Sequence, residues 1–437
     1  MRNWTVAAAS TSLLAVLGAW LIASRLQTGG TLNEIAEQYV RLVLAVGQHD
    51  GDYVDAYYGP PTWRTEAAAH KRSLDELAAE ASRLVAAVPP PPRSTGDPLV
   101  PLRHEYLGRQ LQAVAARIAL LQGQRMTFDA ESQALYDAVA PDHSAADYQG
   151  PLEELERLVP GDGPLVERYE RFRRAFIIPT DRLARVFARA IDECRTRTRT
   201  HLLLPEGESF RVEYVTDKAW SGYNWYQGQF HSLIQVNTDL PIYVDRAVDL
   251  ACHEGYPGHH VYNVLLEQHL VRQRGWVEYT VYPLFSPQSL MAEGTANYGI
   301  QVAFPEDERA AFERTVIYPL AGIDPARTEI YDRVQALVER LSYAGNDAAR
   351  GYLDGRWTKA QALAWLTTYA LMSPARAEQR VRFFEQYRSY VINYNLGKDL
   401  VQHYLESRAG ASASDRWRLF GELISSPRLP SGLRLQP

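Results

Sequence analysis

The sequence predicts a mainly α-helical protein with a small β hairpin or sheet, and three observations support this. Apolar residues recur at helical spacing over most of the chain, as at Ile35, Tyr39 and Val46. Runs rich in β-forming residues are confined to residues 210–216 and 230–237. The 437 residues are 46% hydrophobic and include only two cysteines, a composition typical of a folded globular protein rather than a disulfide-rich scaffold.

The first element is a hydrophobic N-terminal segment. Residues 6–23 form a run of 18 residues without a charge, between Arg2 and Arg25. This run is long enough for a short transmembrane helix, and its end matches a small-x-small cleavage site poorly. We therefore expect residues 1–30 to be a membrane anchor, or alternatively a cleaved signal segment. Either reading places residues 31–437 outside the cytoplasmic membrane, anchored to it or secreted.

The next elements are helices that surround one clear loop. Helical patterns cover most of residues 31–88 and resume over residues 102–123 and 164–200. The proline-rich residues 89–101 between them predict a stiff connector. We expect residues 31–437 to form one helical domain, and the sequence leaves open whether this loop divides it into two lobes.

The β signal comes next, just before the most informative segment. An aromatic stretch containing glycine separates residues 210–216 from residues 230–237, which predicts a hairpin or a small sheet. From Asp239 the pattern is helical almost to the C-terminus. Ser286-Pro287 and Ser373-Pro374 are each typical of a helix N-cap followed by a first-turn proline.

The charge balance excludes one class of partner. There are 46 lysines and arginines against 52 aspartates and glutamates, which gives a net charge of -6. A protein that binds nucleic acid through an electrostatic footprint would be basic, so we expect no nucleic-acid partner. The sequence does not indicate an oligomeric state.

Three of the 11 histidines lie within eight residues, in the segment HEGYPGHH at 253–260. A His-Glu pair on a helix, followed by a second histidine, is the basic arrangement of zinc hydrolases. Two neutral imidazoles bind the metal, and the glutamate takes a proton from metal-bound water. His253 and Glu254 fit the first two roles.

The spacing to the second histidine departs from the usual one. The familiar second ligand comes four residues after the first, where this chain has Pro257. An unbroken helix would return His260 to the face of His253. Gly255, Pro257 and Gly258 predict a break in the helix, because proline removes a helix hydrogen bond and clashes with the preceding turn. A break would let His259 reach the metal instead, so both histidines are candidates.

These residues resemble a large, poorly characterised bacterial domain family whose hallmark is HE-x-x-P-G-H-H and whose members are regarded as zinc metallopeptidases related to the glutamate-zincins. The chain carries that motif in full. The family's E-G-W-A-x-Y element, which supplies a third ligand, is matched at residues 293–298 except that Thr295 replaces the tryptophan. A Y-x-x-G-K-like element is matched at residues 394–398. The resemblance covers residues 205–405 and implies a large helical zinc-peptidase-like body with the small sheet beside the metal-binding helix.

The remaining site residues follow from the motifs and the resemblance. Glu293 lies on a mostly apolar helix face, so we expect it to be a metal ligand or, alternatively, part of a buried ion pair. Two imidazoles and one carboxylate leave a position open for water, as catalytic Zn²⁺ requires. Candidates to stabilise the oxyanion or contact substrate are Tyr394, to which the resemblance points, and His231, Tyr390 and Arg388. Candidates to orient the imidazoles are Asn297 and Asp249.

The predicted function is that of a membrane-anchored or exported zinc metallopeptidase, with Glu254 as general base and a peptide as substrate. The strand at residues 230–237 is either an ordinary hairpin strand or an edge that pairs with an extended peptide. One alternative is a metal hydrolase that acts on a non-peptide amide or ester. Another is a non-catalytic, membrane-anchored metal-binding protein, for which a site closed by four protein ligands would be expected.

Overall fold

The computed structural model describes residues 31–93, 96–218, 220–410 and 412–434. Helices dominate these ranges, so the predicted fold class is confirmed. The helices before the sheet are α1 (Leu32–Val46), α2 (Pro61–Ala69), α3 (Leu74–Ala87), α4 (Leu99–Leu121), α5 (Phe128–Tyr136), α6 (Ala145–Leu158), α7 (Leu165–Arg173) and α8 (Thr180–His201).

The helices after the sheet include the segments that carry the sequence motifs. They are α9 (Asp245–Leu250), α10 (His259–Leu266), α11 (Pro287–Ala303), α12 (Glu308–Phe312), α13 (Tyr318–Ala321), α14 (Thr328–Glu339), α15 (Ala344–Leu353), α16 (Lys359–Tyr369), α17 (Pro374–Tyr387), α18 (Ile392–Ala409) and α19 (Ala413–Ile424). Ser286 and Ser373 are the N-caps of α11 and α17, each followed by proline, as predicted.

Five strands form two small sheets within the described part of the chain. Strands β1 (Val54–Tyr57) and β5 (Val281–Pro283) pair antiparallel. The other three, β2 (Ser209–Val215), β3 (Gly222–Gly228) and β4 (His231–Asn237), form a sheet in the order β2-β4-β3.

The small sheet is present, but the predicted strands do not form a hairpin with each other. Strand β2 runs parallel to the central β4, and the aromatic stretch between them is itself β3, antiparallel to β4. The tight turn is the one from β3 to β4, where Gly228, Gln229 and Phe230 all have positive φ. The two strands with the clearest sequence signal, β2 and β4, are therefore direct neighbours in the sheet. Strand β3 lies between them in the chain but pairs with the other edge of β4.

The prediction of a transmembrane helix or signal segment is corrected by the structure. Within the described ranges, no helix is long and apolar enough to cross a lipid bilayer. Residues 6–23, on which the prediction rested, lie outside the described residues.

Helices α11 and α18 cross at very short distance, and this crossing positions the site. A Cβ atom at Gly294 would overlap the backbone of Gly397, and one at Gly397 would lie 2.8 Å from Leu290 O. Only residues without side chains allow the two backbones to approach so closely. The crossing therefore places Glu293, which precedes Gly294 in α11, next to the residues that precede Gly397 in α18.

A disulfide joins Cys194 in α8 to Cys252, the residue before His253, with the Cα atoms 5.7 Å apart. Both cysteines are buried within one apolar core that also contains residues of α9, α10 and α11. The first residue of the histidine motif is therefore covalently tethered to a long neighbouring helix.

Candidate metal centre

The histidine motif folds as a helix, a wide turn and a second helix. After α9 the chain continues as a π-helical turn over Ala251–Gly255, and α10 starts at His259. The Tyr256–Pro257 peptide bond is cis. A Cβ atom at Gly258 would overlap the carbonyl oxygen of His253, so glycine is required there. The break that the glycines and proline predicted is therefore present, and it folds His259 back toward His253.

Three side chains converge at this break. His253 Nε2 lies 3.1 Å from His259 Nε2 and 3.4 Å from Glu293 Oε2. His259 Nε2 lies 3.8 Å from Glu293 Oε1. In a tetrahedral zinc site with bonds of about 2.1 Å, two ligand atoms lie roughly 3.4 Å apart. The two imidazole nitrogens and the two oxygens of Glu293 therefore lie at separations close to those between the ligand atoms of a zinc site.

The contacts of Glu293 also fit a bound cation. Its Oε2 atom is buried and accepts no hydrogen bond from any described residue, whereas Oε1 accepts one from the Tyr390 hydroxyl at 3.0 Å. A buried carboxylate oxygen without a partner is costly unless a positive charge satisfies it. Two imidazoles and one carboxylate are ligands that zinc prefers, and three protein ligands leave a position open. The residues present thus fit a zinc ion.

Asn297 orients the first histidine. Its Oδ1 lies 3.1 Å from His253 Nδ1, and its Nδ2 donates to the carbonyl oxygen of Tyr394 at 3.1 Å. Because an amide oxygen only accepts, Nδ1 carries the proton and Nε2 is directed at the cluster. Asp249, the other candidate for this role, pairs instead with Arg246 and Arg309.

Glu254 is buried beside the three ligand candidates. A Cβ atom at Gly222 in β3 would lie 2.8 Å from Glu254 Oε1, so the carboxylate packs directly on that glycine. Burial raises the pKa of Glu254 to about 7, an effect that the charge of His253 opposes and that of Glu293 reinforces. The carboxyl group therefore lies in a water-poor region next to a second acid, where a proton is readily exchanged.

The pKa values of the histidines differ according to their contacts. Burial alone would lower the pKa of His253, but its close contact with Glu293 and the charge of Glu254 raise it to about 9. Burial and the neighbouring His253 lower the pKa of His259 to about 4. The two imidazoles thus share one positive charge held against two carboxylates.

Asp55 is a third acid of this region, and the sequence did not point to it. It lies on β1 and accepts a hydrogen bond from Tyr223 of β3. Burial and the charges of Glu293 and Glu254 raise its pKa to about 8. Strand β1 lies near the start of the described chain, and its pairing with β5 brings Asp55 to the candidate site. The four residues of β1 carry no motif that indicates a role for Asp55.

Of the four candidates for oxyanion stabilisation, three are occupied or located elsewhere. Tyr390 donates to Glu293, Arg388 pairs with Glu131 at 2.6 Å, and His231 is exposed with its Nδ1 2.9 Å from Ser209 Oγ. The Tyr394 hydroxyl makes no hydrogen bond to a described residue. Burial, and after it the charge of Glu293, raises its pKa, so this phenol stays protonated beside the cluster.

His260 does not join the cluster, which corrects its prediction as a ligand. It is fully buried, its Nδ1 lies 2.8 Å from Ser232 Oγ, and its Nε2 lies 2.8 Å from Glu208 Oε2. The helix break turns His259 toward His253 and so directs the next side chain toward the sheet. The sequence did not single out Glu208, because its partners are remote in the chain.

The buried cluster of Ser232, His260 and Glu208 has the composition of a nucleophilic triad, but not its accessibility. Ser232 is 3% exposed and Glu208 is 2% exposed, so no substrate can reach the hydroxyl. Glu208 also accepts a hydrogen bond from the Tyr256 hydroxyl at 2.7 Å and pairs with Arg199. These contacts attach the motif to β4 and to the segment before β2, which is a structural role.

Comparison with known proteins does not assign a family. No protein-family model matches the sequence, and no curated protein matches it. Among solved structures, a putative lipoprotein from Colwellia psychrerythraea is 16% identical with a TM-score of 0.49, over 84% of this chain and 70% of that chain.

Two other solved structures are similarly remote. A putative lipoprotein of unknown function from Shewanella oneidensis is 12% identical with a TM-score of 0.47, over 85% of this chain and 74% of that chain. The M32 carboxypeptidase from Deinococcus radiodurans R1 is 13% identical with a TM-score of 0.39, over 92% of both chains. At TM-scores below 0.5 these likenesses carry no inference about function.

Proposed function

We propose that the protein is a zinc-dependent hydrolase that cleaves peptide bonds, with His253, His259 and Glu293 as the protein ligands. The observation that carries the proposal is the convergence of two imidazole nitrogens and one carboxylate within 4.8 Å of one another. The ligands come from two separate segments, and one buried carboxylate oxygen among them forms no hydrogen bond with a described residue. A set with three protein ligands supports a catalytic rather than a structural site.

The chain's own groups supply the proton transfers. A zinc ion bound here would polarise the scissile carbonyl and lower the pKa of a coordinated water. Glu254 takes a proton from the attacking water and returns it to the leaving nitrogen. The C–N bond breaks with its electron pair going to nitrogen, so the net reaction adds one water and yields a carboxylic acid and an amine. Tyr394 donates its hydroxyl proton in a hydrogen bond to the carbonyl oxygen as negative charge develops there.

The Cys194–Cys252 disulfide supports an extracytoplasmic location for this activity. Structural disulfides persist in oxidising compartments and are rare in reducing ones. Because the bond ends one residue before His253, reduction would loosen the ligand itself. We therefore propose that the enzyme works in an oxidising compartment of the cell envelope or outside the cell.

Metal analysis combined with a peptide-library cleavage assay tests the function. We expect about one zinc per chain and cleavage of peptides detected by mass spectrometry. Glu254→Gln keeps the zinc but lowers kcat/KM by about 1000-fold, and Tyr394→Phe lowers it by about 100-fold. Glu206→Gln, which changes an exposed glutamate, is the matched control and keeps full activity.

Three results would overturn the proposal. A zinc-loaded protein that cleaves no peptide in the library would exclude a peptidase, and cleavage of only non-peptide amides or esters would redirect the substrate assignment. Full activity of Glu254→Gln would remove Glu254 as the base.

A further inference from the structure

A cavity of about 270 Å³ lies between the segment after β2 and the C-terminal half of α17. Its lining residues are Lys218, Gln379, Arg382, Phe383, Gln386 and Tyr387. The wall of the cavity reaches the metal centre through aromatic contacts. The Phe383 ring centroid lies 6.3 Å from that of Tyr394 and 6.4 Å from that of Tyr390, the residue that donates to Glu293.

Two cations, Lys218 and Arg382, line the cavity, and a third, Arg380, lies beside its wall. Arg380, which is half-buried, lies with its guanidinium 5.4 Å from the Phe383 ring centroid. Its side chain, like those of Arg382 and Lys218, forms no ion pair or hydrogen bond with a described residue. Arg388 and Arg246 differ in this respect, since Arg388 pairs with Glu131 and Arg246 with Asp249.

The charged residues that line the cavity, Lys218 and Arg382, are both cations, and the lining residue Gln386 is bonded to Asp52. Asp52 accepts a hydrogen bond from Gln386 at 2.8 Å rather than from one of the arginines. The cavity therefore presents positive charge, next to the apolar faces of Phe383 and Tyr387.

The positive charge of Arg380 is held in unfavourable surroundings. It lies one helical turn from Arg376, and both burial and that like charge lower its pKa, an effect that nearby Tyr394 partly offsets. A guanidinium remains protonated in proteins, so the cost cannot be relieved by losing the proton. An anionic ligand would relieve both the desolvation and the repulsion, and the planar guanidinium suits a carboxylate through two parallel hydrogen bonds.

We propose that this cavity binds the free α-carboxylate of a peptide substrate, with Arg380 as its main anchor and Arg382 and Lys218 as supporting cations. This inference rests on the proposed peptidase function and narrows it to removal of residues from the C-terminus. The rings of Phe383 and Tyr387 then face the side chain of the C-terminal residue.

The test compares acetyl-Ala-Ala-Phe with its C-terminal amide on the zinc-loaded protein. We expect kcat/KM for the acid to exceed that for the amide by about 100-fold, as for a buried charge pair. Arg380→Ala reduces this ratio to near one. Arg380→Lys gives an intermediate ratio because it keeps the charge but loses the paired hydrogen bonds. Arg340→Ala, which removes an exposed arginine directly after α14, leaves the ratio unchanged.

A ratio near one in the wild-type protein would overturn the proposal, as would an unchanged ratio in Arg380→Ala. Thermal melting and zinc content show whether Arg380→Ala is folded. If it is not, Arg380→Lys and Arg382→Ala decide, and an unchanged ratio in both would count against the carboxylate site.

Binding separates this inference from the proposed function. Calorimetric titration of Glu254→Gln with the same two peptides measures affinity without turnover. If the peptide acid binds more tightly than the amide, if this difference depends on Arg380, and if the wild-type protein hydrolyses neither peptide, the peptidase function is wrong and the carboxylate site is retained. If both peptides are hydrolysed at equal rates and bound with equal affinities, the peptidase function is retained and the carboxylate site is wrong.

Discussion

His259 and His260 are adjacent in the chain and lie in opposite surroundings. Both ring nitrogens of His260 contact partners, Ser232 and Glu208, at 2.8 Å each. The Nε2 of His259 faces another imidazole nitrogen at 3.1 Å and a carboxylate whose second oxygen forms no hydrogen bond with a described residue. A cluster whose donors and acceptors are matched stabilises the fold, whereas one rich in acceptors needs a cation. The same residue type thus serves structure at one position and chemistry at the next.

The largest expected difference between the two histidines is in metal binding. His259→Gln should weaken zinc binding by more than about 100-fold, beyond the effect of losing a supporting hydrogen bond, because it removes a ligand. His260→Gln should leave zinc affinity within a few-fold of wild type. Competition with a chromogenic chelator measures both variants, which carry the same substitution one residue apart. Equal retention of zinc in both would break the comparison.

Stability should show the opposite pattern. His260→Gln or Glu208→Gln should each lower the free energy of unfolding by about 3 kcal/mol, because each leaves a buried partner uncompensated. Urea denaturation of the metal-free proteins measures this without a contribution from zinc. His403→Gln, at an exposed histidine of α18, is the control and should change little. A loss from His260→Gln no larger than that of the control would show that the buried cluster is not structural.

The buried cluster should also make stability depend on acid pH. Burial opposes ionisation of Glu208, but hydrogen bonds from His260, Arg199 and Tyr256 lower its pKa to about 2. Since the unfolded carboxyl titrates at its ordinary pKa of 4.5, the stabilisation is complete above that pH and is lost as pH falls toward 2. Burial also lowers the pKa of His260, so acid weakens the cluster from below 6.5.

Glu208→Gln should flatten this pH dependence. Between pH 6 and pH 3 the stability difference between wild type and variant should shrink by on the order of 2 kcal/mol. Unfolding curves of the two proteins that stay parallel over this range would contradict the assignment.

The smallest expected effects concern the residue that supports each histidine. Asn297→Ala should weaken zinc binding by about tenfold, since it frees the ring of His253. Ser232→Ala should leave zinc binding unchanged and lower the free energy of unfolding by about 1 kcal/mol. Chelator competition and urea denaturation measure both variants. Weaker zinc binding in Ser232→Ala, with unchanged zinc binding in Asn297→Ala, would contradict the roles assigned to the two histidines.

Local patterns predicted much of the fold. The 3.6-residue period located the helices, and Ser-Pro pairs marked the starts of α11 and α17. The four residues of β1 were missed within a region expected to be mostly helical, because a strand so short has no recognisable alternation. Its identity depends on pairing with β5, more than 200 residues away.

The sequence predicted the residue types of the candidate site more completely than the individual residues that form it. The motif indicated imidazoles, a neighbouring glutamate and a break in the helix. It did not decide between His259 and His260, because that choice depends on the path of the chain through Gly258. Asp55, Glu208 and Arg380 carried no sequence signal, since a lone charged residue is usually a solvated one.

The sequence by itself determined a mainly helical fold, a set of candidate zinc ligands and a bend at the Gly-Pro-Gly segment. Helical periodicity and glycine or proline effects act over a few residues, so they can be recognised in the chain directly. Only the tertiary structure decided which histidine faces Glu293, which acids share its buried region and which arginines lack partners. These depend on burial and on contacts between segments far apart in sequence, and both arise only when the helices pack.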